Sequence, residues 1–186
     1  MAEHDGVMMD RRGWLAGALA IGAGALAIPG TAMASIGERR LAFRNVHTNE
    51  KIDARYWGAT GFDREGLAEI DHGLRDWRTG DVTAMDRGLL DLLVALRDSL
   101  GVSGNRSFDL ISGYRSPHTN AALRARGGGG VATKSQHMLG KATDIALPGV
   151  RLETVRNAAL ALGRGGVGYY PRDGFVHVDT GRVRRW

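Results

Sequence analysis

Apolar positions recur along the chain at two different periods, and each period marks its own kind of element. Between Asp86 and Leu100, the leucines 89, 90, 93, 96 and 100 fall on one stripe at helical spacing and Gly101 closes the run, which predicts the clearest helix. Residues 151–162 repeat the amphipathic pattern, and the mixed stretch Arg64 to Trp77 reads as a third helix. Pro117 pre-sets its own φ and restrains Ser116, so a short fourth helix is expected from Pro117 to about Arg126. Strand-like runs cover Leu41 to Asn45 and Lys51 to Trp57, a hairpin around Thr48-Asn49-Glu50, then Phe108 to Ile111 and Lys141 to Leu147, the last ended by Pro148-Gly149. Gly166 to Tyr170 and Phe175 to Asp179 form a final antiparallel pair, and four glycines in a row, 127–130, predict a mobile loop. No repeat and no second core are visible, so the expectation is a single α+β domain: a small antiparallel sheet with flanking helices.

The N-terminus changes what belongs to that domain. A polar start, the pair Arg11-Arg12, then Gly13-Trp14-Leu15 and an apolar run to Ile28 resemble a twin-arginine export signal. Ala32-Met33-Ala34 offers small residues to a signal peptidase, which puts the expected cut before Ser35 and divides the chain into a signal, 1–34, and a mature domain, 35–186. The run is too short and too rich in Gly and Ala to cross a ~30 Å hydrocarbon layer, so no stable membrane anchor is expected after cleavage. The implied address is the periplasm.

Removing 34 of the 186 residues leaves 152, enough for one domain with a real core. The removed segment carries three acids and two arginines, so the formal charge rises from +5 to +6. That surplus suits an anionic polymer such as cell-wall peptide stems. Nucleic acid is disfavoured as a partner, because the arginines are scattered rather than striped and export separates the chain from it. There is no cysteine, which excludes disulfide staples and thiolate chemistry.

Candidate chemistry lies in two segments, Ser135-Gln136-His137-Met138-Leu139-Gly140-Lys141-Ala142-Thr143-Asp144 and Phe175-Val176-His177-Val178-Asp179. His137, Asp144 and His177 would supply two imidazoles and a carboxylate, the donor set with which hydrolases hold zinc while leaving one position for water. Gly140 lets the chain fold back from His137 toward the strand that bears Asp144. Asp144 sits among apolar neighbours, where an unpaired carboxylate would cost roughly several kcal/mol and a cation would neutralise the penalty.

The Ser-x-His-x-x-Gly-x-Ala-x-Asp spacing from Ser135 to Asp144 resembles the metal motif of the zinc D-Ala-D-Ala carboxypeptidase, lysostaphin and hedgehog group. With Ser112-Gly113-Tyr114-Arg115-Ser116, Gly166-Val167-Gly168-Tyr169-Tyr170, the His177 segment and Arg184-Arg185-Trp186, nearly all of 40–186 is similar to the murein endopeptidase K family. The resemblance implies a hedgehog or D-Ala-D-Ala carboxypeptidase-like fold and one Zn²⁺ held by His137, Asp144 and His177. It further implies hydrolysis of amide bonds in the cross-links between peptidoglycan peptide stems. Arg115 would engage a substrate carboxylate, a task that suits a bidentate guanidinium.

One position departs from the wider group: where many relatives carry an acid three residues before the last histidine, this chain has Gly174. Asp179 is the expected catalytic base, with Asp173 the alternative, and Asp179 could equally orient the His177 imidazole. A competing reading is a metal-containing peptidoglycan-binding module without turnover. No Ser-His-Asp ordering or phosphate loop supports a different hydrolase. His47, His72 and His118 are expected in surface or capping roles. Tyr169, Tyr170 and Trp186 are expected either to wall the cleft or to pack in the core.

Overall fold

The computed structural model describes residues 37–127 and 131–186. The predicted export segment and Gly128 to Gly130 of the predicted mobile loop lie outside the described residues.

The hairpin forms as expected: β1 (Arg39–Asn45) pairs antiparallel with β2 (Lys51–Gly58). Its turn holds because Asn49 adopts a left-handed φ of 59°, which asparagine tolerates, while the Asn45 side chain accepts from the backbone N–H of His47 and Thr48. A two-residue strand, β3 (Gly61–Phe62), follows, and then α1 (Arg64–Gly73), capped by the Asp63 carboxylate. The sequence pattern carries α1 on to Trp77, but the chain leaves the helix at Leu74. Tertiary partners end it: the Leu74 carbonyl accepts from the Tyr114 N–H, and Asp76 turns inward to accept from the Ser116 N–H. The leucine stripe becomes α2 (Arg87–Ser99), capped by Asp86. Next come β4 (Ser107–Ser112), α3 (Pro117–Ala125) with Ser116 as its cap, a short 3₁₀ helix over Gln136–Leu139, and β5 (Ala142–Ala146). The chain closes with α4 (Leu152–Leu162), β6 (Gly166–Tyr170), β7 (Phe175–Asp179) and β8 (Arg184–Arg185).

Among the described residues, the strands form one sheet in the order β3-β2-β1-β4-β5-β7-β6-β8. The fold is α+β, but the expected small antiparallel sheet is in fact an eight-stranded mixed one. β4 lies parallel to β1, because the chain returns to the same end of the sheet through β2, α1 and α2 before pairing again. β8 lies parallel to β6 on its far side.

Strand alternation divides the labour between the two faces. Ile145, Val176 and Val178 are buried in a cluster with Leu89, Leu93 and Val155 of α2 and α4. The neighbouring positions Asp144, His177 and Asp179 therefore point to the opposite face. That face carries the candidate site.

Candidate metal centre

His137 rides on the 3₁₀ helix, whose first turn is capped by the Ser135 hydroxyl. The helix ends at Gly140 with a φ of 65°, the reversal that sends the chain into β5, and a Cβ there would meet the Ala84 carbonyl at 2.7 Å. Asp144 on β5 and His177 on β7 are direct partners in the antiparallel register. Strand pairing thus brings the carboxylate and the second imidazole together, and the glycine reversal swings the first imidazole over them.

The donor atoms converge. His137 Nε2 lies 3.1 Å from His177 Nδ1, His177 Nδ1 lies 2.9 Å from Asp144 Oδ1, and His137 Nε2 lies 3.3 Å from the same oxygen. All three residues are buried, at 3%, 5% and 7% exposure for His137, Asp144 and His177. Three donors held about 2.1 Å from one centre in tetrahedral array stand about 3.4 Å apart, so the observed spacings fit a zinc-sized cation with little adjustment. The remaining ring nitrogens are spoken for. His137 Nδ1 is 2.8 Å from the Gly113 carbonyl, to which it donates, and His177 Nε2 is 2.9 Å from Asp179 Oδ2. Donation there leaves the other nitrogen of each ring facing Asp144, where it must be free of a proton for a metal to be held.

Burial alone would raise Asp144, but the charge and hydrogen bonds of the two histidines hold it well below the ordinary carboxylate range. Burial disfavours the imidazolium of His177, yet its hydrogen bonds to Asp144 and Asp179 outweigh that and raise it above its ordinary value.

Asp179 is the carboxylate expected from the sequence either to act as base or to orient the His177 ring. It is wholly buried, on the far side of the His177 ring from the donor cluster. Its Oδ1 accepts from the backbone N–H of Gly166 at 3.1 Å and Gly181 at 2.8 Å, and from Arg184 Nη1 at 3.0 Å. Its Oδ2 accepts from Arg184 Nη2 at 2.7 Å as well as from His177. These donors outweigh burial and keep it far below the usual carboxylate value. Both carboxylate oxygens of Asp179 are thus filled by donors, and its contact with His177 is at Nε2, the ring nitrogen other than the Nδ1 that meets Asp144.

A cleft of about 370 Å³ opens over His137, Asp144 and His177, lined also by Arg115, Gln136, Tyr170, Asp173, Arg184 and Trp186. Arg115, largely buried, reaches Asp144 Oδ2 at 3.4 Å and the Ser112 hydroxyl at 3.5 Å, and its Nε has no partner. Asp173 is exposed on the rim, in the turn between β6 and β7. Of the three aromatic residues expected to wall the cleft or fill the core, Tyr170 and Trp186 line the cleft, whereas Tyr169 packs against the core and under Arg156. The Trp186 ring lies 5.1 Å from that of His177 and donates to the Tyr170 hydroxyl. It fits because Gly168, the β6 partner of His177, has no side chain: a Cβ there would stand 2.8 Å from the indole. His47 stacks on Trp77, and His72 and His118 are exposed, all apart from the cluster.

Sequence reasoning assigned no role to the Gly113 carbonyl or to Arg184. A backbone acceptor leaves no mark in residue type. Arg184 stood within a motif of interest, but only the parallel pairing of β8 on β6 brings it to Asp179.

Residues 33–186 match the family model described as Peptidoglycan L,D-endopeptidase MepK. The chain is 45% identical over 179 residues to the Peptidoglycan L,D-endopeptidase MepK of Escherichia coli (strain K12), covering 95% of this chain and 97% of that protein. It is 41% identical over 182 residues to the Probable peptidoglycan L,D-endopeptidase MepK of Haemophilus influenzae, covering 97% of each. No solved structure gives a significant match. A buried pair of imidazoles and a carboxylate on the open face of the sheet is therefore found in a chain that belongs to the peptidoglycan L,D-endopeptidase MepK family.

Proposed function

We propose that this protein is a zinc-dependent endopeptidase that hydrolyses amide bonds in the peptide cross-links of peptidoglycan, acting outside the cytoplasm after export by the twin-arginine route. The observation that carries the reading is the convergence of His137 Nε2, Asp144 Oδ1 and His177 Nδ1 within 3.3 Å of one another beneath a cleft. The relatives' name specifies an L,D bond, and we extend that preference to this chain.

Zinc bound by these three donors would polarise the scissile carbonyl and lower the pKa of a bound water toward about 7. The protein's own residues do the rest. Arg115, at the cleft with an unpartnered Nε, binds a carboxylate of the stem and sets the register of the scissile amide. Asp179 and Arg184 hold the His177 ring at a fixed angle, and Gly113 does the same for His137. Asp173, the rim carboxylate, is in reach of solvent and takes the proton that the attacking water releases, returning it to the leaving amine. Trp186 covers one side of His177 and keeps bulk water from it.

The test incubates the mature domain with purified sacculi, with zinc or with chelator, and identifies the released muropeptides by mass. Cross-linked dimers should disappear only when metal is present. Binding to sacculi without new products would instead establish the metal-containing binding module. Asp144→Ala should strip the metal, and full zinc content in that variant would remove Asp144 from the ligand set.

A further inference from the structure

Outside the cleft, a second recess of about 200 Å³ lies between the segment after α1 and the outer side of α3, lined by Arg78, Thr79, His118, Thr119 and Arg126 among others. No carboxylate lines it. Two acids lie close by: Asp81, exposed, accepts from the hydroxyl of Thr79 at 2.8 Å, and Asp76 is buried and accepts from the Ser116 N–H at 2.9 Å and the Arg78 N–H at 3.1 Å. Those two bonds fasten the Arg78 segment to the start of α3, so the recess is held by a buried carboxylate rather than formed by chance contact of loops. The Arg78 guanidinium sits over the Trp77 indole, its Cζ 4.2 Å from the ring centroid, and the same indole stacks on His47, also at 4.2 Å. This cation–π contact holds the guanidinium at the recess it lines, where its N–H groups can meet an incoming acceptor.

The charges here repel one another. Burial and the positive charges of Arg115 and Arg126 lower Arg78 below its ordinary value, and Asp76 offsets this only in part. Arg115 and Arg126 flank the two ends of α3, whose nine residues span roughly 14 Å, about the length of four extended peptide residues. Arg78 interacts with both. A line of guanidiniums therefore runs outward from the metal cleft along α3, and an anion is the group that would relieve it.

We propose that the recess of Arg78 and Arg126 is a second subsite, which takes a free carboxylate of the peptide stem at a distance from the bond being cut. The proposal rests on the reading of the cleft as a peptidoglycan peptidase and adds a specificity contact to it: Arg115 meets one carboxylate beside the scissile amide, and the recess meets another further along the stem. Amidation of that distal carboxylate alone removes the second contact and leaves the first, whereas full amidation removes both.

Calorimetric titration of the intact zinc-loaded protein with an uncross-linked stem tripeptide, L-alanyl-γ-D-glutamyl-diaminopimelate, and with its fully amidated counterpart tests this without any turnover. Wild type should bind the free acid at least about tenfold more tightly than the amide. Arg78→Gln/Arg126→Gln should lose about tenfold for the free acid and nothing for the amide, with zinc content and melting temperature unchanged. An Arg115→Gln variant should still respond to the double substitution. Equal binding of acid and amide by wild type, or undiminished free-acid binding by the double variant, overturns the subsite. Because no bond is cut, this readout is separate from the sacculus digestion: failure there removes the peptidase reading, whereas failure here removes only the subsite.

Discussion

Replacing Asp179 by Asn is the sharpest test of how the site is held. The carboxylate is fully buried and accepts from His177, from both arms of Arg184 and from the N–H groups of Gly166 and Gly181. Asn keeps one acceptor oxygen but turns an NH₂ toward groups that are all donors, and it leaves the guanidinium without its counter-charge. Breaking a fully buried pair costs about 3–5 kcal/mol. Arg184 retains 29% side-chain exposure, so water recovers part of that loss and about 2–3 kcal/mol is expected. For a domain of this size, that lowers the melting temperature by about 5–10 °C. Zinc affinity, measured by chelator competition, should fall about 10- to 100-fold because the His177 ring loses its orienting acceptor. Arg184→Lys, which keeps the charge but not the fork, should fall between the variant and wild type. Wild-type zinc affinity with a collapsed rate would refute the reasoning and restore Asp179 to the role of base.

Asp173→Asn should reduce turnover by about a hundredfold with zinc content unchanged, and a full rate would remove Asp173 from proton transfer. Since His177 is raised above its ordinary value of about 6.5, protons compete with metal at that ring, so zinc affinity should weaken as pH falls from 8 to 5.5. A flat profile would contradict the assignment of Nδ1 as ligand. Asp144 and Asp179 are depressed, so the stability they contribute is present above about pH 4 and is lost as pH falls through their folded values, which acid titration of the fold will follow. Gly168→Ala should expel Trp186 from its seat beside His177, with a loss of about 1–3 kcal/mol by denaturant unfolding and altered tryptophan emission. Leu93→Ala, in the fully buried stripe of α2, should cost about 2–5 kcal/mol without changing zinc stoichiometry.

Much of this was legible in the chain because it depends on near neighbours. The leucine stripe of α2, the Asn49 turn, the proline start of α3 and the Gly140 reversal are each set by residues within one turn of themselves. His137, Asp144 and His177 could be picked out because imidazoles and a carboxylate in apolar strands have few other uses, and alternation already put His177 and Asp179 on one face. Where prediction and structure part, the reason is distant partners. α1 stops short because Leu74 and Asp76 are claimed by residues some 40 positions away, Tyr114 and Ser116.

The sequence alone determined the helices, most of the strands, the donor types and their spacing, since periodicity, capping and side-chain chemistry are local properties of a chain. Only the tertiary structure decided which donors each carboxylate meets. Lone-pair occupancy is a count over all of space, and Arg184 and two backbone amides fill Asp179 only once β8 has docked on β6. The same holds for the arginine line along α3, whose members become neighbours because a buried Asp76 ties their segments together.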